Sequence, residues 1–127
     1  MKRALILITV LTIGCLACAL TVDLHQHHTA QAYLADLPPF REAALAQDWE
    51  QARAMHQKLK ADWKQEAFLL DCLISHEYTR EVASQLGALE TAIEMGWQEE
   101  ALQALDALEA ALEHIHTGDF CRWENFL

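Results

Sequence analysis

Nineteen consecutive residues, Ala4 to Val22 (ALILITVLTIGCLACALTV), carry no charge. As a helix rising about 1.5 Å per residue they extend roughly 28 Å, close to the hydrocarbon thickness of a bilayer. Lys2 and Arg3 precede the run, and no Lys or Arg follows until Arg41. Positive charge is retained on the cytoplasmic side, so the N-terminus is expected inside and everything after Asp23 outside. Two processing routes compete with an uncleaved anchor. Ala17-Cys18-Ala19 has the small residues of a signal-peptidase site, but the apolar run continues past it to Val22. Thr12-Ile13-Gly14-Cys15 approximates a lipid-accepting motif, with Thr where Leu is expected. Length and flanks favour a single-pass cell-membrane anchor over both.

Hydrophobic residues make up 53% of the chain, and the excess is concentrated in this segment. Beyond Val22, 7 Lys and Arg stand against 19 Asp and Glu, a net charge of −12. Nucleic acid is therefore excluded as a partner, because its binding depends on neutralising phosphates. The same charge opposes a helix lying flat on anionic lipid.

Asp36-Leu37-Pro38-Pro39 is the strongest break in the sequence. Proline lacks an amide hydrogen and pushes the preceding residue out of the helical region, so the pair is expected to end a first helix. Asp23 to Ala35 would then be a stalk, with Pro39 opening the next helix. Further on, Trp49, Ala52, His56, Leu59 and Trp63 fall at steps of 3, 4, 3 and 4, one stripe of an amphipathic helix. Asp48 is its natural N-cap. A second stripe runs Leu69, Cys72 or Leu73, His76, Val82, Leu86, Leu89 and Ile93, until Gly96 supplies a left-handed stop. A third reads Trp97, Ala101, Leu105, Leu108, Leu112 and Ile115, closed by Gly118. Gly87, inside the second stripe, marks an expected kink or close approach.

The expected fold is therefore all-α: a transmembrane helix followed by a small antiparallel bundle of about three helices. The corresponding partition is a cytoplasmic N-terminus (1–3), an anchor (4–22), a juxtamembrane stalk with the Pro-Pro break (23–38) and an extracytoplasmic bundle (39–127). A tetratricopeptide-like repeat is discounted: Asp48-Trp49-x-x-Ala52 and Gly96-Trp97 echo each other 48 residues apart, but no 34-residue period exists.

Several of these residues form an ordered set. The anchor, Asp48-Trp49-x-x-Ala52, Leu59, Trp63, Phe68-Leu69-Leu70-Asp71 and His76-Glu77 lead to His114-Ile115 and a terminal Asn125-Phe126-Leu127. The chain thereby resembles the bacterial family catalogued as domain of unknown function 4363. The resemblance implies a short, membrane-anchored helical protein over essentially the whole chain, and it implies no activity. Two features depart from the family pattern: a less charged tail at His116-Thr117-Gly118-Asp119-Phe120-Cys121, and the His25-Gln26-His27-His28 cluster with the Cys pair.

Chemistry-bearing residues concentrate around the Gly96 hairpin. Position 76 is 20 before Gly96 and position 116 is 20 after it, so antiparallel packing places His76 and Glu77 near His114 and His116. Imidazoles with a carboxylate are ligands for zinc or a similar metal. His114 and His116, two apart on one helix, point to different sides, which favours a polar layer over a metal site. Likewise Cys72, 24 before Gly96, and Cys121, 25 after it, are candidates for a disulfide. His25, His27 and His28 can hold metal loosely but read first as surface. His56 lies on an apolar stripe and is expected to be buried with its polar atoms satisfied. The four tryptophans, Trp49, Trp63, Trp97 and Trp123, are expected as core and turn anchors. Ser75 and Ser84 sit in helical sequence without a Ser/His/Asp pattern, so nucleophilic catalysis has no support. The expectation is a non-enzymatic interaction module with an envelope-protein partner and no cofactor. The alternative is a metal- or small-ligand-binding sensor built on His76, Glu77, His114 and His116, and a third reading is a metal-dependent hydrolase using the same residues.

Overall fold

The computed structural model describes residues 1–73 and 76–117, with the backbone alone for Leu73, His76, His116 and Thr117. Four helices follow one another, α1 (Lys2–Leu45), α2 (Trp49–Leu73), α3 (His76–Met95) and α4 (Gln98–Thr117), and no strand occurs among the described residues. Helix α1 is long and apolar enough to cross a membrane, and none of its most apolar window is buried.

The bundle has four helices rather than about three, because the second half of α1 belongs to it. Gln26, Ala30, Tyr33, Leu37, Phe40, Ala43 and Ala44 are buried at helical spacing, so residues 23–38 pack as a bundle wall. Pro38 and Pro39 lie inside α1 instead of ending it. Both face solvent, as does Ala35, while Leu37 and Phe40 between and beside them are 2% and 1% exposed. The carbonyls that lose helical partners, those of Leu34 and Ala35, lie on or near the wet side. Burial of the opposite face overrides the local cost of proline.

The helices run up, down, up and down, each packed on its sequence neighbour, with α4 closing the ring against α1. Packing is most extensive where α4 meets α1 and α3. Alanines at Ala43, Ala44, Ala92, Ala101, Ala104 and Ala111 let these backbones approach closely.

Two turns of the same type meet at the end remote from the apolar half of α1. At the first, the Gln47 amide donates to Ala44 O (3.1 Å) and the Asp48 amide to Ala43 O (3.0 Å), with Gln47 left-handed at φ 55°. At the second, the Gly96 amide donates to Ile93 O (3.2 Å) and Trp97 to Ala92 O (2.8 Å), with Gly96 at φ 68°. Both are Schellman turns. Asp48 caps α2 as expected, its Oδ1 accepting from the Gln51 amide at 3.2 Å. Gln98 ties the turns together by donating to the carbonyls of Ala44 (3.2 Å) and Leu45 (3.0 Å) at the end of α1.

This likeness extends through both hairpins. The buried positions Ala30, Tyr33, Leu37, Phe40, Ala43 and Ala44 recur 49 residues later as Thr79, Val82, Leu86, Leu89, Ala92 and Ile93. Ala52, His56, Leu59 and Trp63 recur as Ala101, Leu105, Leu108 and Leu112. The bundle is thus two helical hairpins with one burial pattern, related by a pseudo-twofold axis.

The apolar stripes of α3 and α4 hold, except that Trp97 is 47% exposed at its turn. In α2 the inward residue is Leu70, 1% exposed, and not Leu69, 49% exposed. The stripe drawn unbroken from Leu69 to Ile93 crosses the α2–α3 junction, where the helical phase restarts. Gly87 lies on the exposed face of α3 with open space around its Cα, so close packing does not explain it.

Candidate functional site

Apart from His56, every histidine falls at the end of the bundle nearest the apolar half of α1: His25, His27 and His28 early in its packed part, His76 at the start of α3, His114 and His116 at the end of α4. His56 is 2% exposed on α2, its Nε2 2.8 Å from Leu86 O, a buried and satisfied imidazole.

Of the four residues expected to meet around the Gly96 hairpin, Glu77 and His114 do so. With Tyr78, Glu81 and Ala111 they line a cavity of about 360 Å³ between α3 and α4. The Tyr78 and His114 rings are tilted against each other with centroids 6.4 Å apart. The backbones of His76 and His116 extend the same end, and their side chains lie outside the described residues. Among the described residues no group of three His, Cys, Asp or Glu side chains is placed to hold a metal ion. Cys72 is exposed. Its expected disulfide partner Cys121, together with Gly118, Trp123 and the terminal Asn125-Phe126-Leu127, lies outside the described residues.

A second cavity, of about 400 Å³, lies between α1 and α2. His28, Thr29, Ala32, Asp62 and Gln65 form part of its lining, and 49 residues on these are Glu77, Tyr78, Glu81, Ala111 and His114. The two cavities are therefore equivalent positions of the two hairpins. His25, Tyr33, Asp36 and Glu66 complete the one between α1 and α2. Glu66 Oε2 is shut off from solvent, takes no hydrogen bond among the described residues and lies 3.4 Å from His25 Nε2. Burial, and then the carboxylates of Glu66, Asp62 and Asp36, push the Tyr33 phenol well above its ordinary pKa. Its ring packs edge-on against Trp63 at 5.7 Å. Counting outward from Gln47, as from Gly96, would have brought these side chains together in the sequence. No glycine marks that turn.

The remote end has a different character. Leu45, Met95 and Trp97 are 56%, 58% and 47% exposed around the two turns. From Trp97 a groove of about 530 Å³ runs between α3 and α4, walled by Ala88, Ala92, Ala104 and Ala107 with polar Gln85, Thr91, Glu100 and Gln103 at its borders. Large apolar side chains held in water beside a small-residue groove are the composition of a contact surface. The sequence reading had assigned Trp97 to a turn anchor and missed its exposure.

A family model described as a domain of unknown function (DUF4363) matches residues 25–126. The match begins one residue before Gln26, the first buried residue of α1, and takes in the packed part of α1 together with α2, α3 and α4. No curated protein and no solved structure matches the chain.

Proposed function

Because the chain belongs to the family described as domain of unknown function 4363, which carries no assigned activity, we propose a function from this chain's own geometry: it is a non-enzymatic interaction module, anchored by residues 4–22, that presents the remote end of its bundle to another envelope protein. The observation that carries this reading is the exposed set Leu45, Met95 and Trp97 at the two turns, with the alanine-walled groove between α3 and α4 leading from Trp97. The anchor supports it through reach. About twenty residues of α1 separate Val22 from the first turn, roughly 30 Å of rise, so the apolar tip stands clear of the bilayer. Retention of Lys2 and Arg3 inside places this tip outside the cytoplasm.

The test is site-specific photocrosslinking in the producing cell. A crosslinker at Met95 or Leu45 yields the same protein adduct, and one at exposed Ala54 on α2 yields none. Absence of any adduct from Met95, or an identical pattern from Ala54, overturns the proposal. Topology is checked separately: a reporter active only outside the cytoplasm, fused after Leu127, is active, and the mature chain begins at Met1.

The sensor alternative keeps one specific observation, the shared cavity of Glu77 and His114. It requires that micromolar zinc raise the melting temperature through binding to the folded state. That rise must vanish in both His76→Ala and His114→Ala.

A further inference from the structure

We propose that the far end of α2, at Phe68 and Leu69, is a second membrane contact: these side chains enter the headgroup–acyl boundary of the same bilayer that α1 crosses. The inference rests on the anchor reading above and concerns the opposite end of the bundle from the partner surface.

Phe68 is 74% exposed and Leu69 49%, while the next residue, Leu70, is 1% exposed and faces the core. Two adjacent large apolar side chains are thus directed outward from a helix whose apolar stripe is already satisfied by Leu59, Trp63 and Leu70. Their height above the membrane follows from two contacts across the α1–α2 pair. Tyr33 meets Trp63, a register that sets Phe68 level with His28. Glu66 meets His25, which sets it lower, level with Asp23. At about 1.5 Å per residue, both bounds lie within about 9 Å of Val22, the end of the apolar run. The headgroup region adds about 5–7 Å on each side of the hydrocarbon core. The lower register therefore sets Phe68 within it and the upper one at its outer edge, where large apolar side chains can reach inward. Because α1 is helical without interruption from Lys2 to Leu45, no flexible linker lets the bundle drift away from that height.

The polar surroundings suit the same layer. Lys64, exposed and one turn before Phe68 on the same helix face, stands about 6 Å farther from the acyl chains, where an ammonium reaches lipid phosphates. Leu24, 67% exposed just past the apolar run, continues apolar surface from the anchor into this level. A solvated end of α2 offers no reason for Phe68 and Leu69 to be outward. An adjacent lipid boundary does.

The test uses the full chain in phosphatidylcholine nanodiscs, with Cys15, Cys18, Cys72 and Cys121 changed to Ser. Single nitroxide labels are placed through Ile13→Cys in the anchor, Phe68→Cys, Leu69→Cys and Ala54→Cys on exposed α2. Collision rates with oxygen, which concentrates in lipid, and with a water-soluble nickel chelate are compared. The expected oxygen-to-nickel ratio at positions 68 and 69 is severalfold above that at 54 and remains well below that at 13, the middle of the anchor. A ratio at 68 and 69 equal to that at 54, with 13 protected from nickel, keeps the anchor and overturns the second contact. Shielding of 68 from both reagents means that protein, such as a second copy, covers it, which also overturns the proposal. Nickel access at 13 overturns the anchor and this inference together.

Discussion

The two hairpins bury the same positions with different side chains. In the α3–α4 hairpin the interior is aliphatic apart from Thr79: Val82, Leu86, Leu89, Ile93, Leu105, Leu108, Leu112 and Ile115. In the hairpin of α1 and α2 the corresponding set includes Tyr33, Phe40, His56 and Trp63, with buried Gln26 beyond them. The polar links between the hairpins follow the same division. Arg41 pairs with Asp106 and with Glu109 (3.0 Å), Lys60 with Glu90 (2.7 Å), and His56 with Leu86 O. Arg41 and Glu90 are repeat-related, as are Lys60 and Glu109, so the pseudo-twofold axis exchanges the Arg41–Glu109 and Lys60–Glu90 pairs. The positive member lies in the first hairpin both times. Two copies of the first hairpin would set Arg against Lys at these places. The difference gives the pairing its direction: each hairpin is complementary to the other and not to itself.

The largest expected effects compare the interiors. Leu105→Ala costs about 2–5 kcal/mol, a cavity in the most tightly packed part of the bundle. Its counterpart His56→Ala costs about 1–3 kcal/mol, through the lost bond to Leu86 O and lost packing. Both are measured by Trp fluorescence during denaturation of the full chain in detergent. Equal costs would dissolve the distinction between an aliphatic and a polar half.

Next come the turns. Gly96→Ala costs about 1–2 kcal/mol: its Cβ would meet only Trp49 Nε1 at an ordinary 3.7 Å, but φ 68° is strained for any side chain. Gln47→Gly removes that strain from the first turn and stabilises by about 0.5–1 kcal/mol. A loss at position 47 would mean that the Gln47 side chain, which donates to Gln98 Oε1 at 3.3 Å, outweighs its backbone strain.

Alkaline pH tests the first hairpin alone. The raised Tyr33 pKa means that the folded state keeps a proton which the unfolded chain gives up near pH 10. Stability is therefore fully present below about pH 10 and falls as pH rises above it. Tyr33→Phe should flatten this decline. Parallel melting curves for the unchanged chain and Tyr33→Phe above pH 10 would remove Tyr33 as the cause.

The smallest effect concerns the exchanged ion pairs. Lys60 and Glu90 are 49% and 40% exposed, so a double-mutant cycle should give a coupling that is small beside the core and turn effects and is reduced by salt. Arg41 with Glu109 should couple somewhat more strongly, because the guanidinium is shared with Asp106. Coupling that persists unchanged in molar salt would contradict an exposed electrostatic origin.

Much of this architecture was legible in the sequence. The Ala4–Val22 run, the Asp48 cap, the Gly96 stop and the stripes of α3 and α4 each follow from local chemistry acting within a few residues. The missed features depend on distant partners. Pro38 and Pro39 looked like a helix end, because nothing nearby discloses that Leu37 and Phe40 are gripped by the rest of the bundle. The α2–α3 junction has no Gly or Pro to announce it, so one apolar stripe reads across it and points to Leu69 as the inward residue, where the fold buries Leu70. The meeting of Glu77 with His114 was found by counting from a visible glycine. The equivalent cavity of His25, Asp62 and Glu66 escaped, because its turn is made by Gln47, which adopts the left-handed conformation without advertising it.

The unbroken course of α1 has a mechanical consequence. Its 44 residues form a shaft of about 66 Å, with the apolar half and the packed half on one axis. The weakest points of its hydrogen-bond ladder, at Pro38 and Pro39, fall inside the packed half, where the neighbouring helices act as a splint. With no linker between the two halves, the orientation of the apolar half and that of the bundle are set together by one continuous helix.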